Sequence, residues 1–326
     1  MKPSSPLLMR LLLVSGKGGV GKTTVSVALA LAAAKRGKRV LVVEVSPRET
    51  LPRLFDAPLG GHAEHPVAEN IWTLNLDPHL ALEEYLETQL HVRALVRMVT
   101  GNPLFQRLVE IAPGWRDLLT LGKVWHLERQ QDPKKGRPRY DLIIVDAPAT
   151  GHGLAFLRTP KAFVEATRFG PARTHSQWVC DLIEDRSRTR LLLVTLPEEL
   201  PVNETIEMAR AAEEKLNMSF EDVVVNAVVP RLFTEREAQA LASLRRNPEV
   251  LGRVAASMED EMDLADLLET ADATIGRRAL HESYIRRLRS QVRKRMIELP
   301  FIYRAQLSLE DLRGLGEILL GQMEAE

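Results

Sequence analysis

The chain has 326 residues, of which 45% are hydrophobic and 27% charged, as in an ordinary soluble globular protein. Its basic residues and its acidic residues both number 44, which removes the global electrostatic case for binding nucleic acid. The single cysteine, Cys180, excludes a disulfide framework and a cysteine-based metal cluster within one chain, and it fits a reducing, cytoplasmic compartment. Every apolar run is shorter than the roughly 18 residues that a membrane span needs, so we expect no stable membrane insertion.

Short apolar runs alternate with helical stretches along the chain, which is typical of a mostly parallel sheet covered on both faces. We predict strands at residues 10–15, 39–45, 71–77, 140–146, 190–196, 222–229 and 298–303. We predict helices at residues 22–36, 79–99, 114–131, 161–168, 171–184, 202–216, 235–244, 262–270, 279–296 and 309–323. This order predicts one doubly wound α/β domain over residues 1–326, with a sheet of about seven to eight strands. Longer helical insertions at residues 78–139 and 154–185 are predicted to form a helical subdomain on one side of the sheet.

The first predicted strand runs directly into a glycine-rich loop and then an alanine-rich helix. Residues 16–23 read Gly-Lys-Gly-Gly-Val-Gly-Lys-Thr, the pattern of a phosphate-binding loop (P-loop) in its strand–loop–helix context. The glycines let successive backbone N–H groups point at phosphate oxygens, and the helix dipole adds to that attraction. We predict that Lys22 contacts the β- and γ-phosphates of ATP and that Thr23 binds Mg²⁺. The residues predicted to bind the phosphates are Gly16, Gly18, Gly19, Val20, Gly21, Lys22, Thr23 and Thr24.

Carboxylates near two strand ends suit such a site. Asp146 ends a hydrophobic strand and is predicted to hold Mg²⁺, through water, as a Walker B aspartate does. The small-residue turn after it contains Gly151 and suits a switch loop that senses a γ-phosphate through a backbone N–H. Glu44 lies on the second strand, two residues before Ser46 and therefore on the same face. We predict that Glu44 either helps to position the attacking water or only orders Mg²⁺-bound waters.

A lysine, Lys17, directly follows the first glycine, and the loop thereby resembles the deviant Walker A loop of the MinD/ParA/arsenite-pump ATPase class. The order and spacing of four segments resemble the arsenite-pump ATPase family, which includes the GET-pathway targeting ATPase for tail-anchored membrane proteins. Within that family, residues 43–45, 111–117 and 146–148 look most like the bacterial GET-like branch. The segments are residues 16–24, 146–152, 196–205 and 225–226.

The resemblance implies a P-loop ATPase that closes around ATP as a homodimer, or as a heterodimer with a paralogous ATPase, and opens after hydrolysis. It implies that Lys17 crosses the interface to the partner's nucleotide. By the same resemblance Asn226 hydrogen-bonds adenine, and Pro300 and Phe301 wall the base. The expected ligands are therefore ATP or ADP with Mg²⁺.

The chain departs from the family pattern at three places. The family carries an aspartate directly before a proline to orient the attacking water, and Ser46 replaces it here, which predicts slow hydrolysis unless Glu44 compensates. Cys180 alone cannot supply the thiolates of the pump's metalloid site, and the chain has no C-x-x-C pair, so no zinc is expected. The family's client groove is rich in methionine, whereas the helical insertions hold only Met98.

The leading functional hypothesis is an Mg-ATP-dependent dimeric switch for an unknown protein client or partner. Its predicted catalytic residues are Lys17, Lys22, Glu44 and Asp146. The alternative is a catalytically weak, nucleotide-binding regulatory subunit of a heterodimer. A partitioning ATPase acting on DNA or membrane is disfavoured by the zero net charge, and a metalloid-pump subunit by the single cysteine.

Overall fold

The computed structural model describes residues 8–45, 49–90, 114–148, 150–218, 220–256 and 264–325. The strands are β1 Leu11–Ser15, β2 Val40–Glu44, β3 His65–Ala68, β4 Ile71–Asn75, β5 Leu142–Asp146, β6 Thr189–Thr195, β7 Asp222–Val228 and β8 Arg295–Pro300. The helices are α1 Lys22–Lys35, α2 Leu51–Leu54, α3 Pro78–Leu90, α4 Trp115–Arg129, α5 Thr150–Ala166, α6 Pro171–Glu184, α7 Glu199–Lys215, α8 Glu235–Arg245, α9 Pro248–Ala256, α10 Leu264–Val292 and α11 Leu309–Glu324.

The eight strands form one sheet in the order β3-β4-β2-β5-β1-β6-β7-β8. Neighbouring strands are parallel throughout, except that β3 and β4 are antiparallel. Every residue of β1, β2 and β5 is buried. Strands that are buried on both faces read as continuous apolar runs, which explains the leucine-, isoleucine- and valine-rich segments at the centre of the sheet. The predicted α/β fold with seven to eight strands is confirmed.

One face of the sheet is covered by α1 and α11. Residues 25–33 of α1 are all buried, as expected for a helix that is apolar on every side. The two helices approach so closely that a Cβ atom added to Gly316 would lie 2.3 Å from the carbonyl oxygen of Ala28. This contact holds α1, and with it the loop that precedes it, firmly against the sheet.

The other face carries the predicted helical layer. The helices α3, α4, α5, α6, α7 and α10 all contribute buried residues to one apolar cluster, which also contains residues from the facing side of the sheet. The largest fully buried side chain here, Phe156, comes from α5. Whether α3 to α6 form a separate subdomain stays a prediction. Among the described residues, no helix is long and apolar enough to cross a bilayer.

Most predicted helices and strands appear within three residues of their expected bounds, but three short elements escaped prediction. The edge strand β3 has four residues, one of which is Pro66, so it carries neither the length nor the alternation of a typical strand. The helices α2 and α9 have only four and nine residues. Predicted residues 91–99 of α3 lie outside the described part of the chain.

Three further elements have different bounds from those predicted. Helix α5 begins at Thr150 and not at residue 161, so part of the predicted turn after Asp146 is helical. Two predicted helices, at residues 262–270 and 279–296, belong to the single helix α10. Strand β8 begins at Arg295, three residues before its predicted start, because it pairs with β7 there and the Arg295 guanidinium reaches the buried Asp222 carboxylate at 2.5 Å.

Candidate functional site

The glycine-rich loop joins the centre of the sheet to α1, and two of its glycines are required by close contacts. A Cβ atom at Gly16 would lie 2.1 Å from the carbonyl oxygen of Val194 in the neighbouring strand β6. A Cβ atom at Gly21 would lie 2.2 Å from the amide nitrogen of Asn226, and Gly21 also has a positive φ of 90°. The loop is therefore pressed against the carboxyl ends of β6 and β7, where only glycine fits.

The loop residues between these two contacts differ in how far solvent reaches them. Gly18 and Gly19 are exposed at the tip, whereas Val20 is buried under it. Thr24 lies in the first turn of α1. The tip thus presents its backbone to solvent while Val20 anchors it to the core.

The start of α1 is built to receive an anion. No side chain caps this helix end and its first turn holds no acidic residue, so its first N–H groups lack a side-chain acceptor. The ammonium of Lys22 donates to the carbonyl oxygens of Gly16 and Lys17, each at 3.1 Å. Burial lowers the pKa of Lys22, and the Asp146 carboxylate partly offsets that shift. Phosphate oxygens would be better partners for this ammonium than the loop carbonyls are.

Thr23 and Asp146 meet beside Lys22. The register of the sheet places Asp146, the last residue of β5, opposite Val14 at the end of β1. The Thr23 hydroxyl donates to Oδ2 of Asp146 at 2.5 Å, whereas Oδ1 is buried without a hydrogen-bond partner. Burial raises the pKa of Asp146 to about 6, against the hydrogen bond from Thr23 and the charge of Lys22.

This pair fits Mg²⁺. A hydroxyl oxygen and a carboxylate oxygen are the hard ligands that this ion prefers, directly or through water. The unpartnered Oδ1 of Asp146 is a buried acceptor that a water of the hydrated ion would satisfy. A cation beside it would also offset the cost of burying its charge.

The Glu44 carboxylate binds the start of α2 within its own chain. Its buried carboxylate accepts hydrogen bonds from the backbone N–H of Thr50 at 2.8 Å, from the Thr50 hydroxyl at 2.5 Å and from the backbone N–H of Leu51 at 3.1 Å. The side chain thus anchors the chain segment at the start of α2. Its predicted role toward the attacking water stays a prediction, and Ser46 lies outside the described residues.

Lys17 pairs within its own chain. Its ammonium lies 2.5 Å from the carboxylate of Glu204 on α7. Sequence reasoning did not predict this contact, although Glu204 falls in residues 196–205, one of the segments that resemble the family. The predicted contact of Lys17 with a partner's nucleotide stays a prediction.

Asn226 contacts the loop through a bulge in β7. The register of β7 against β8 shifts between Val225 and Val228, and Ala227 takes a positive φ of 55°. Such a bulge re-aims side chains. The amide of Asn226 donates to the carbonyl oxygen of Val20 at 3.0 Å, so the residue predicted to contact adenine lies directly against the phosphate loop.

A cavity of about 500 Å³ opens beside this bulge. Phe301 lines it, with its ring 4.9 Å from the edge-on ring of Tyr303, and the Phe301 N–H donates to the carbonyl oxygen of Val228 at 2.8 Å. Pro300 ends β8 immediately before Phe301. The wall facing them comes from α10 and includes Thr274 and Arg277, which sequence reasoning missed because it placed a break between two helices there.

Comparisons with known proteins identify the family of the chain. The model of the anion-transporting ATPase family matches residues 9–169, which include the phosphate loop and Asp146. ATPase BagA of Mycobacterium tuberculosis is 37% identical over 235 residues, which are 70% of this chain and 68% of that protein. The chain belongs to the ArsA/GET-like ATPase family. It is accordingly a nucleotide-binding ATPase.

Two other relatives of this ArsA/GET-like ATPase carry the names of the arsenical pump and of get3. The arsenical pump-driving ATPase of Acidiphilium multivorum is 30% identical over 275 residues, which are 76% of this chain and 44% of that protein. The ATPase get3 of Schizosaccharomyces japonicus is 30% identical over 175 residues, which are 50% of each. The family resemblance derived from the motifs is confirmed.

The helical layer of this ArsA/GET-like ATPase encloses a second cavity. It has a volume of about 460 Å³ and lies between α3, α4 and α6. The rings of Trp125 and Trp178 stack at 5.1 Å, His175 lies 4.7 Å from Trp178, and the Tyr85 hydroxyl is 2.7 Å from Nδ1 of His175. Burial lowers the pKa of His175 and so disfavours a charge within this aromatic cluster.

Proposed function

We propose that this ATPase hydrolyses Mg-ATP as a dimeric switch that acts on a protein client or partner. The observation that carries the proposal is the convergence of Lys22, Thr23 and the half-paired Asp146 carboxylate at the end of the phosphate loop. These three groups supply one cation for the phosphates and two oxygen ligands for a metal. The loop between them supplies backbone N–H donors.

The chemistry that the residues would perform follows from their positions. Loop and helix N–H groups would hold the β-phosphate, and Lys22 would exchange the carbonyl oxygens of Gly16 and Lys17 for phosphate oxygens. Thr23 and Asp146 would hold Mg²⁺, which neutralises charge that develops on the phosphates during transfer to water. The protein's contribution is therefore positioning and electrostatic stabilisation, and none of its groups forms a covalent bond to the phosphate.

The nucleoside would extend from the loop toward the bulge in β7. Asn226 lies at the loop, and the cavity beyond it is lined by Phe301 and Tyr303. An aromatic side chain at this point offers a flat surface for a base. These positions support the roles of Asn226, Pro300 and Phe301 in binding adenine, as the family resemblance implies.

Dimer closure is the part of the proposal that depends on Lys17. The family resemblance assigns this lysine to the partner's nucleotide, and its side chain is 30% exposed at the rim of the site. A cation supplied across an interface raises phosphoryl-transfer rates by about 10³–10⁵ where it is used. The partner is a second copy of the chain or a paralogue.

A specific observation favours the second candidate function, a regulatory subunit with weak catalysis. Both carboxylate oxygens of Glu44 accept hydrogen bonds from Thr50 and Leu51, so Glu44 is occupied as an anchor. With Ser46 in place of the family's aspartate, slow hydrolysis follows if neither residue orients water. The partner subunit would then carry the faster site.

Steady-state hydrolysis of Mg-ATP, measured together with the molar mass in solution, tests the proposal. We expect ATP-dependent turnover and a nucleotide-dependent shift from monomer to dimer. ATP binding without turnover would favour the regulatory subunit, and Ser46→Asp should then raise the rate. A chain that stays monomeric and inactive with saturating Mg-ATP would overturn the switch.

A further inference from the structure

The Lys17–Glu204 pair joins two neighbouring strand ends at the rim of the nucleotide site. Lys17 follows β1, and Glu204 lies in the second turn of α7, which follows β6. Their ammonium and carboxylate are 2.5 Å apart, and the side chains are 30% and 37% exposed. The contact is therefore a specific ion pair between distant parts of the sequence that solvent still reaches.

The two partners differ in how firmly they are held. Glu204 projects from a helix whose adjacent residue Thr205 and nearby residue Val202 are buried, so its backbone is fixed. Lys17 projects from the glycine loop on a flexible four-carbon stem. The carboxylate is thus a stationary acceptor, and the lysine is the partner able to change its contact.

We propose that Glu204 is a positioning residue that holds Lys17 within its own subunit and thereby opposes dimer closure until ATP is bound. The inference rests on the proposed function, in which Lys17 contacts the partner's nucleotide. One ammonium cannot keep its full contact with Glu204 while it binds the partner's phosphates. On closure the Lys17 ammonium therefore leaves a carboxylate with a single charge for a polyphosphate with several. This exchange favours ATP over ADP, because ATP carries the larger negative charge.

The expected effect follows from the exposure of the pair. Ion pairs at the surface shift an equilibrium by about twofold to fivefold, because water and salt screen them. A twofold-symmetric dimer breaks two such pairs when it closes. Removing the carboxylate should therefore raise the ATP-dependent association constant by about fourfold to twenty-fivefold, with the larger value at low salt.

The test is the change Glu204→Gln, with Glu207→Gln as the matched control. Glu207 is an exposed carboxylate on the same helix, so the control removes the same charge without touching the pair. Monomer–dimer equilibria are measured by sedimentation over a range of protein concentrations, with Mg-ATP and with Mg-ADP. We expect E204Q to dimerise at lower protein concentration with Mg-ATP and E207Q to match the wild type.

Two further variants keep the result specific to the pair. Glu204→Asp retains the charge on a shorter side chain and should shift the association constant in the same direction by a smaller factor. In a Lys17→Ala background, E204Q should leave the residual dimer fraction unaltered, because the pair is already absent.

The outcomes separate this inference from the function on which it rests. Unchanged or weaker ATP-dependent association of E204Q, in a protein whose wild type dimerises with Mg-ATP, would overturn the role of Glu204 and leave the switch intact. A wild type that binds Mg-ATP without dimerising would overturn both. An effect of E204Q that persists without Lys17 would show that Glu204 acts through another contact.

Discussion

The phosphate end of the sheet and the helical layer differ in how their polar groups are arranged. At the phosphate end, Lys22, Thr23 and Lys17 each have a partner within the chain: the loop carbonyls, Asp146 and Glu204 respectively. In the helical layer, aromatic rings stack around a cavity of about 460 Å³. Hydrogen bonds and ion pairs dominate the first region, whereas mainly aromatic and apolar side chains line the cavity of the second, with the Tyr85–His175 hydrogen bond and the Glu84–Lys123 pair at its wall.

This difference shows where nucleotide binding must act. A ligand at the phosphate end has to replace contacts that already exist, so its affinity depends on the charge that it brings. A ligand in the cavity of the helical layer contacts mainly aromatic and apolar side chains, with Glu84 and Lys123 at the wall, so its affinity depends more on the apolar surface that it buries. We therefore expect substitutions at the phosphate end to change chemistry and substitutions in the helical layer to change stability.

Among the side chains that bind the subunit's own nucleotide, the largest loss of turnover is expected for Lys22→Ala. Loss of its ammonium removes the main cation aimed at the phosphates, and turnover should fall by about 10²–10³. The folded state should persist, because the hydrogen bonds of this half-buried lysine go to carbonyl oxygens of the loop and not to the core. Turnover and thermal unfolding are measured beside Lys35→Ala, an exposed lysine at the far end of the same helix. Comparable losses in both variants would contradict the assignment.

Asp146→Asn should separate function from stability. Turnover should fall by about 10²-fold because a metal ligand is lost. The nucleotide-free protein, in contrast, should be more stable by about 1–3 kcal/mol at pH 7, because a buried charge is removed. The contrasting variant is Asp141→Asn, which breaks the pair with Arg39 at 2.9 Å and should lose stability while keeping turnover.

The same carboxylate sets a pH dependence in the absence of nucleotide. The pKa of Asp146 is about 6 in the folded chain and near 3.8 in an unfolded one, so the folded state binds more protons between these values. The free energy of unfolding should therefore fall as pH rises from 4 to 6, and this component should vanish in D146N. Denaturant unfolding at several pH values measures it, and a D146N profile identical to wild type would contradict it.

In the helical layer, Trp178→Ala should reduce stability and spare chemistry. The side chain is 40% exposed and stacks on Trp125, so its loss should cost about 1–2 kcal/mol of unfolding free energy. Turnover should stay within about twofold of wild type. A tenfold loss of turnover without a loss of stability would show that the helical layer is coupled to the phosphate end.

The smallest effect is expected at the Glu84–Lys123 pair beside that cavity. The contact with His62, whose Nε2 lies 3.4 Å from the carboxylate, and then the hydrogen bond from Lys123 lower the pKa of Glu84 to about 2. Because the pKa in the folded state lies below the ordinary 4.5, the stability that Glu84 contributes is present above pH 4.5 and is lost as pH falls toward 2. Lys123→Met should raise the pKa of Glu84 only slightly, because His62 remains in contact with it and Glu84 is half exposed. An NMR titration of Glu84 checks this.

The sequence predicted the phosphate end far better than the helical layer. Gly16, Gly21, Lys22 and Thr23 follow from a motif because their roles are defined by local geometry: a tight loop, a helix end and two functional groups. The central strands follow from their continuous apolar runs. The short strand β3 and the bulge at Ala227 could not be predicted from such runs, because each depends on pairing with a neighbouring strand.

Contacts between distant segments account for the remaining differences. The pairing of Lys17 with Glu204 joins residues 187 positions apart and arises from the packing of α7. The contact of Glu44 with Thr50 spans only six residues, but it lies in a loop, where no strand or helix periodicity predicts it. The aromatic cavity likewise depends on three helices meeting at one point. Tryptophans at residues 115, 125 and 178 were visible in the sequence, but their periodicity does not distinguish a cavity from a filled core.

A mixture of two inactive variants tests the central claim, a dimer that shares its catalytic groups, most directly. A Lys17→Ala subunit keeps its own metal site, and an Asp146→Asn subunit keeps the lysine that would reach across. Each variant alone should be nearly inactive, and an equimolar mixture should regain about a quarter of wild-type turnover, since half of the dimers would contain one complete site of two. A mixture as inactive as its components, or full turnover by Lys17→Ala alone, would contradict the account.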